Sequence, residues 1–301
     1  CMLELSQSGS DQAGGPGMMA LSYGGDTLNT AVYLARLGVG VEYLTGLGDD
    51  TMSDWLLDQW RSEGVGCSAV RRFAGSVPGL YMIQTDEQGE RSFLYWRDSA
   101  PARRIFDDEA TTRQLFETLA GYQWIYLSGI TLALYSEVAL QRFIRHLAAF
   151  REAGGKIAFD GNYRPRLWPD VATARQAFES VARLASMVLP TLEDEMLLFG
   201  DVDKGAVLQR LQSWGVAEIA LKMGPEGALA VTDAGNELVP SQKVIPVDTT
   251  AAGDSFNAAY LAARLAGYPP AQAAQAGHRL AGVVIGHRGA IIAADKMPAQ
   301  P

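Results

Sequence analysis

Cysteine is nearly missing from this chain: Cys1 and Cys67 are the only two among 301 residues. Two thiols cannot build a disulfide framework, and they lack the paired short spacing of a zinc site. Histidine is just as scarce. His146, His278 and His287 show no HExxH-type pairing, so each reads as a surface or packing residue rather than a metal ligand. No apolar run reaches the roughly 18 residues that span a bilayer, and the N-terminus lacks the basic-then-apolar order of a signal peptide. A reduced, cytoplasmic setting without membrane contact is expected. Basic residues are also in deficit: 25 Lys and Arg against 34 Asp and Glu give a net charge of -9, which argues against a protein that tracks a nucleic-acid backbone. Anionic substrates would need positive charge concentrated locally.

What is present is an alternation of strand and helix patterns. The opening CMLEL reads as a strand already under way at the first residue, so an upstream segment is expected. A Gly-rich loop at 9–17 leads to GGDTLNTAVYLARLG, where Leu28, Ala31, Val32, Ala35 and Leu37 recur at helical spacing until Gly38 stops the helix. The strand VEYLTGLG follows. DDTMSDWLLDQWRSEGV then puts acidic residues in a first helical turn and Met52, Trp55, Leu56 and Trp60 on one face. Between about 70 and 97 the rhythm changes to two extended runs, GLYMIQTD and ERSFLYWR, around the turn pattern DEQG.

From Trp124 the strands WIYLSGI, KIAFDGN, MVLPT and IALKMG alternate with the helices EVALQRFIRHLAAFREAG, TARQAFESVARL and EDEMLLFG. ALAV and KVIPVD are expected as further strands, before two Ala-rich helices. This order predicts an α/β fold whose central, mostly parallel sheet is covered by helices on both faces, with the inserted runs forming a small second sheet that acts as a lid. No tandem repeat or long linker divides the chain. One catalytic unit over 1–301 is expected, its lid formed mainly by about 1–25 and 70–100.

The most informative segment is DTTAAGDSFNAAYLAARLAG, residues 248–267. It follows the expected strand KVIPV and opens a long helix, whose first N–H groups have no intrahelical partner. Ala251, Ala252 and Gly253 carry almost no side chain, so an anion can approach those amides, and the helix dipole favours negative charge there. Asp254 stands beside that anion hole. A carboxylate at this place would also serve as an N-cap. A cap needs one polar residue, however, whereas this stretch joins a small-residue cradle to a carboxylate that can accept a proton from an attacking hydroxyl during phosphoryl transfer.

Here AAGDSF resembles the C-terminal signature of the ribokinase-like (PfkB) sugar kinases, and GGDTLNTAVYLARLG resembles their N-terminal sugar-binding signature. The resemblance runs from Cys1 to about Met297. It implies a ribokinase-like three-layer sandwich with a small β-sheet lid, ATP and Mg2+ as cofactors, Asp254 as general base and 251–254 as the anion hole. Gly24 and Gly25 would allow close approach to a sugar whose hydroxyls pair with Asp26 and Asn29, although a strand-to-helix turn would use the same glycines. Within the family, PGLYMIQTDEQGERSFLYWRDSA, YLSGI and FDGNYRPRLW resemble members that phosphorylate a keto-deoxy sugar acid. Those use Tyr and Arg of the lid hairpins and an Arg in an NYR segment, matched by Tyr81, Tyr95, Arg97 and Arg164. A planar guanidinium suits a carboxylate, which a neutral hexose lacks. Tyr81 and Tyr95 would equally serve as cross-strand packing residues, and Trp96, alternating with Tyr95 and Arg97, is assigned to packing.

On the nucleotide side, LKMGPEG at 221–227 offers Gly224 and Gly227 for backbone contact with ATP and Lys222 for charge, although a plain hairpin turn would look alike. The family's usual Asn-x-x-Glu pattern is replaced by Thr191 and Asp194, so Mg2+ is expected through nucleotide oxygens and water, with Asp194 an indirect organiser. AGHRLAGVVIGHRGAI resembles the segment that lies against adenine, and His278 is the contact named there. Lids of this kind often pair between subunits, which would cover Phe93 and Trp96 in a homodimer. A dinucleotide-binding dehydrogenase is disfavoured because GLGDD at 46–50 is followed by Thr51 where a third glycine belongs. A sugar-binding regulator is disfavoured by the intact cradle. Fructokinase or another sugar kinase of the family stays as the alternative.

Overall fold

Two apolar layers sandwich a central sheet, and both follow from the side-chain alternation of single strands. The computed structural model describes residues 1–7, 18–85 and 91–298; the Gly-rich loop at 9–17 and the DEQG turn lie outside the described residues. In chain order the elements are β1 (Met2–Gln7), β2 (Met19–Gly24), α1 (Asp26–Arg36), β3 (Gly46–Gly48), α2 (Thr51–Ser62), β4 (Arg71–Phe73), β5 (Leu80–Thr85), β6 (Arg91–Trp96) and α3 (Glu109–Leu119). They continue with β7 (Trp124–Ser128), α4 (Gly129–Leu132), α5 (Glu137–Glu152), β8 (Lys156–Asp160), α6 (Val171–Ala182), β9 (Met187–Val188), α7 (Leu192–Phe199), α8 (Lys204–Ser213) and β10 (Glu218–Lys222). The chain closes through β11 (Ala228–Thr232), β12 (Gly235–Val239), α9 (Ala252–Leu265) and α10 (Pro270–Ile285).

The central sheet has the order β12-β11-β10-β9-β8-β7, parallel from β7 to β10 and antiparallel at β11 and β12. Ile157, Phe159, Val188, Ile219 and Leu221 project to one face and pack with Phe143, Leu147, Phe178 and Val207 from α5, α6 and α8. Ala158, Met187 and Ala220 project to the other, where Tyr33 of α1, Phe256 and Tyr260 of α9 and Leu280 of α10 cover them. Strands buried on both faces are what a parallel α/β sheet requires. Small side chains on the second face let the Ala-rich α9 and α10 come close.

A separate four-stranded sheet runs β2-β1-β5-β6. Its register aligns Ser22, Glu4, Tyr81 and Tyr95 in one row and Leu21, Leu5, Met82 and Leu94 in the next, so the two rows face opposite sides. The link from β2 to α1 passes through Gly25, with φ 151°. A Cβ there would fall 2.8 Å from Cys1 Cα, so both the backbone and the space require glycine.

Several expectations are corrected. KVIPVD forms no strand: Pro246 has no N–H to give a ladder, and Val247 and Asp248 donate instead to the Ile285 carbonyl at the end of α10. The strand beside β11 is β12, from GNELV. The strand expected over VEYLTGLG is reduced to β3 and a bridge at Glu42. On α2 the buried face is Ser53, Leu56, Leu57 and Trp60, while Met52 is exposed, because Asp50 caps the helix and draws the Ser53 hydroxyl inward at 2.6 Å. Trp96 is not packed within the chain; it is 54% exposed.

Glu218 at the start of β10 accepts from Tyr260 Oη at 2.7 Å and from Arg264 Nε and Nη2 at 2.7 and 2.8 Å, tying the sheet to α9. Glu218→Ala would leave Tyr260 and Arg264 without their acceptor, at a cost of about 3 kcal/mol. The melting temperature should fall by roughly 6 °C or more in calorimetry.

Candidate active site

The carboxyl ends of β7, β8 and β10 meet the N-termini of α1 and α9, where open α/β sheets take their ligands. α9 opens with Ala251 in the left-handed region at φ 60°, and no side chain caps it. Ala252 N–H turns back to the Thr249 carbonyl at 3.3 Å, which leaves the next amides, those of Gly253 and Asp254, for an incoming anion. Asp254 is the third residue inside the helix and is not the N-cap. Its Oδ2 accepts from Asn29 Nδ2 at 2.8 Å, across 225 residues of sequence. Ahead of the helix, Asp248 accepts from Thr250 N–H at 3.0 Å and from Gly289 N–H at 2.9 Å, which anchors the loop leading to the cradle.

Around Asp254 lies a buried polar cluster. Asp26, at the first position of α1, accepts from the Ser128 hydroxyl and from Asn162 Nδ2, the latter at 3.2 Å. Lys222 Nζ donates to Asp160 Oδ1 and to Asn257 Oδ1, both at 3.0 Å. Asn257 Nδ2 donates to Tyr126 Oη at 3.1 Å, and Thr30 Oγ1 donates to the Asp254 carbonyl at 3.2 Å. Asn162 adopts φ 40°; with Ala251 it is one of two non-glycine residues at positive φ among the described residues, and both border this cluster. Such strain persists only where the surroundings over-determine it.

One buried acceptor is left over. Asn29 Oδ1 has no hydrogen-bond partner, although its amide nitrogen is committed to Asp254. A hydroxyl donated by a ligand would satisfy it. The small sheet continues the site: Tyr81 Oη lies 3.0 Å from where a Cβ on Gly24 would stand, and Asn29 Oδ1 lies 3.8 Å from the same point. Tyr81 donates to Glu4, which also accepts from Ser22 Oγ at 3.0 Å. Tyr81 and Tyr95 stand 6.2 Å apart, with the Arg97 guanidinium 4.2 Å over the Tyr95 ring. A cleft of about 830 Å³ runs beside this row, lined by Glu4, Ser22, Ile83, Thr250 and Arg288 among others.

Of the residues expected from sequence, the structure gathers Gly24, Gly25, Asp26, Asn29, Ala251, Ala252, Gly253 and Asp254 where the N-termini of α1 and α9 meet, with Tyr81, Tyr95 and Arg97 at the adjoining sheet. Arg164 faces Asp194 at 3.6 Å and donates to the Tyr163 carbonyl. Lys222, expected to offer charge to the nucleotide, ends β10 and is buried in the floor of the site, 3.6 Å from where a Cβ on Gly253 would stand. Gly224 and Gly227 shape the tight turn between β10 and β11, closed by Met223 N–H to the Gly227 carbonyl at 2.8 Å. His278 bonds the Val239 carbonyl at 3.1 Å and packs edge-on against Phe256, so that ring nitrogen is already occupied. Glu4, Tyr126, Ser128, Asp160, Asn162 and Asn257 were missed. Ser128 and Asp160 close β7 and β8, and the carboxyl-end rule for open sheets would have drawn attention to both.

Burial pushes the Asp254 carboxyl up to about 8, helped by the negative charges of Asp26 and Asp160 and opposed by the Asn29 bond and Lys222. Burial likewise raises Asp160, against the pull of Lys222, and raises Asp194. A carboxyl that holds its proton more tightly folded than unfolded stabilises the fold fully below about pH 4, and this contribution is lost as pH rises through about 8. Asp254→Asn removes that dependence. The variant should melt above the parent at alkaline pH, the gap closing towards pH ~4, in thermal scans across pH.

A sequence profile of the pfkB family carbohydrate kinases matches residues 10–297. The chain is 42% identical over 311 aligned positions to 2-dehydro-3-deoxygluconokinase of Dickeya dadantii, covering 99% of this chain and 96% of that one. It is 42% identical over 310 positions to the Escherichia coli K12 enzyme of the same name, covering 99% and 97%. Among solved structures, a PfkB protein from Polaromonas sp. JS666 superposes with a TM-score of 0.81 at 26% identity, covering 93% of this chain and 91% of that one. The helix mouth, the layered sheet and the length of the match agree, and the chain belongs to the pfkB family of carbohydrate kinases.

Proposed function

We propose that this kinase transfers the terminal phosphoryl group of ATP to the terminal hydroxyl of 2-keto-3-deoxy-D-gluconate, giving 2-keto-3-deoxy-6-phosphogluconate. The observation that carries the reading is the Asp254 carboxylate buried beside an uncapped helix N-terminus. A hydroxyl held there gives its proton to Asp254 as its oxygen bonds to the γ-phosphorus and the bridging oxygen leaves with ADP. Amides at 253 and 254 hold the charge that gathers on the transferred group. A base with a pKa of about 8 is well matched to this task near neutral pH.

Substrate choice rests on positive charge and on the orphan acceptor. Asn29 Oδ1 takes a sugar hydroxyl, while Arg97, stacked on Tyr95, and Arg164 supply planar donors for the carboxylate of a keto acid. The small sheet acts as the lid, with Glu4, Tyr81 and Tyr95 on its inner row. Gly224, Gly227 and His278 stay assigned to the nucleotide side, His278 through its ring face. Among the described residues no three His, Cys, Asp or Glu side chains gather as a metal cage. Magnesium would be carried in on nucleotide phosphates, with Asp194 reaching it through water, since Mg2+ keeps several waters and few protein ligands. Bound there, the ion neutralises phosphate oxygens.

A coupled ADP-release assay over keto acids, hexoses and nucleosides tests the reading: 2-keto-3-deoxy-D-gluconate should turn over fastest, and equal or faster turnover of fructose would reject it. In the same assay Asp254→Asn should lose roughly two to four orders of magnitude in kcat while remaining folded.

The lid is also assigned a second role, as the contact between two copies of the chain. Leu21, Leu5, Met82 and Leu94 form one apolar row across all four strands, and Leu21, Leu94 and Trp96 are exposed. Exposed rows of this kind mark interaction surfaces. Sedimentation at micromolar concentration should give a dimer, and a monomer alone would remove the assignment.

A further inference from the structure

Beneath the anion cradle, an ion pair is buried where burial is expensive. Lys222 and Asp160 are 9% and 2% exposed, and their charged atoms lie 3.0 Å apart. A buried pair seldom adds to stability compared with apolar residues of the same volume, so its presence asks for another explanation. Its position supplies one. Lys222 ends β10, Asp160 ends β8, and the ammonium lies against the bare Cα of Gly253 in the first turn of α9. Two of its three N–H groups go to Asp160 and Asn257, which leaves one unused. Asp160 in turn receives Tyr126 Oη at 3.5 Å.

We propose that Asp160 is a positioning residue for phosphoryl transfer: it holds the Lys222 ammonium at the anion cradle and keeps it from collapsing onto the Asp254 carboxylate. The inference rests on the reading of Asp254 as the base. Two buried carboxylates, Asp160 and Asp254, share this space with a single ammonium, beside the half-buried Asp26, so Lys222 has two competing buried partners besides the phosphate it is to meet. Paired directly with Asp254 it would weaken the base and be withdrawn from the arriving anion. Paired with Asp160, it stays beside Gly253 and can turn its free N–H to the phosphoryl oxygens.

Asp26 on α1, Asp160 at the end of β8 and Lys222 on β10 act on Asp254 directly, Tyr33 on α1 and Tyr126 on β7 feel its charge, and Arg164 beyond β8 and Asp194 on α7 interact with Asp160. Of these, only Lys222 is both cationic and buried. Asp160 therefore decides where the one buried positive charge of the site resides.

The test is steady-state kinetics of the full chain carrying Asp160→Asn, Lys222→Met or both, with ATP, Mg2+ and 2-keto-3-deoxy-D-gluconate, from about pH 6 to 10. Asp160→Asn should cut kcat by roughly 30-fold or more with the sugar KM changed less than about threefold, and should move the rising limb of kcat/KM to lower pH. Lys222→Met should move that limb to higher pH. The double variant should lose no more kcat than the worse single variant, since the two groups act as one unit. If either single variant fails to fold, the double, which removes both charges together, retains the fold and carries the test.

Parental kcat and an unmoved pH limb in the folded variants would overturn the inference, whatever happens to the melting temperature. Asp254→Asn separates the two readings. If it is inactive while Asp160→Asn and Lys222→Met keep the parental pH profile, only the positioning role fails. If it is fully active, the base assignment fails as well.

Discussion

Crowding carboxylates into a dry space sets the terms for this structure. Asp26, Asp160 and Asp254 are brought together from α1, β8 and α9, and a single buried ammonium stands among them. Burial raises the Asp254 and Asp160 carboxyls, and the neighbouring charge of Asp26 adds to the effect. The carboxylates are tolerated because each has donors: Asn29 for Asp254, Ser128 and Asn162 for Asp26, Lys222 for Asp160. Each donor sits on a different secondary-structure element from its acceptor, so the arrangement exists only when the sheet and both helix mouths are assembled.

The two apolar layers supply that assembly. Parallel strands β7 to β10 deliver Ser128, Asp160 and Lys222 to one edge, because successive strands of such a sheet end on the same side. The short side chains of the second face let α9 settle with its N-terminus at that edge. Energy of burial therefore comes from positions that touch no ligand. The strained backbones of Ala251 and Asn162 are held by the same frame, and both border the buried polar cluster.

The small sheet is attached differently. It joins α1 through Gly24 and Gly25, and its inner row meets the site through Tyr81, Glu4 and Asn29. Its other face offers apolar side chains to solvent. A sheet with few strands cannot bury both faces by itself. The polar row therefore faces the site and the apolar row faces solvent, on opposite sides of the same strands.

The α/β class, the helix opened by AAGDSF, the two-glycine entry to α1 and the hairpin of β5 and β6 were all legible in the amino-acid sequence, because each rests on local periodicity or on residue types whose backbone preferences are local. Elements α3 and α8 were passed over although Asp108 and Asp203 cap them, and KVIPVD was taken for a strand because apolar alternation is blind to the missing N–H of Pro246. What only the tertiary structure decided is who stands beside whom: that Asn29 holds Asp254, that Lys222 is buried against Asp160, that Ser128 reaches Asp26. Pairings across 225 residues leave no trace in local pattern, since hydrogen bonds and ion pairs depend on where packed elements end in space and not on spacing along the chain.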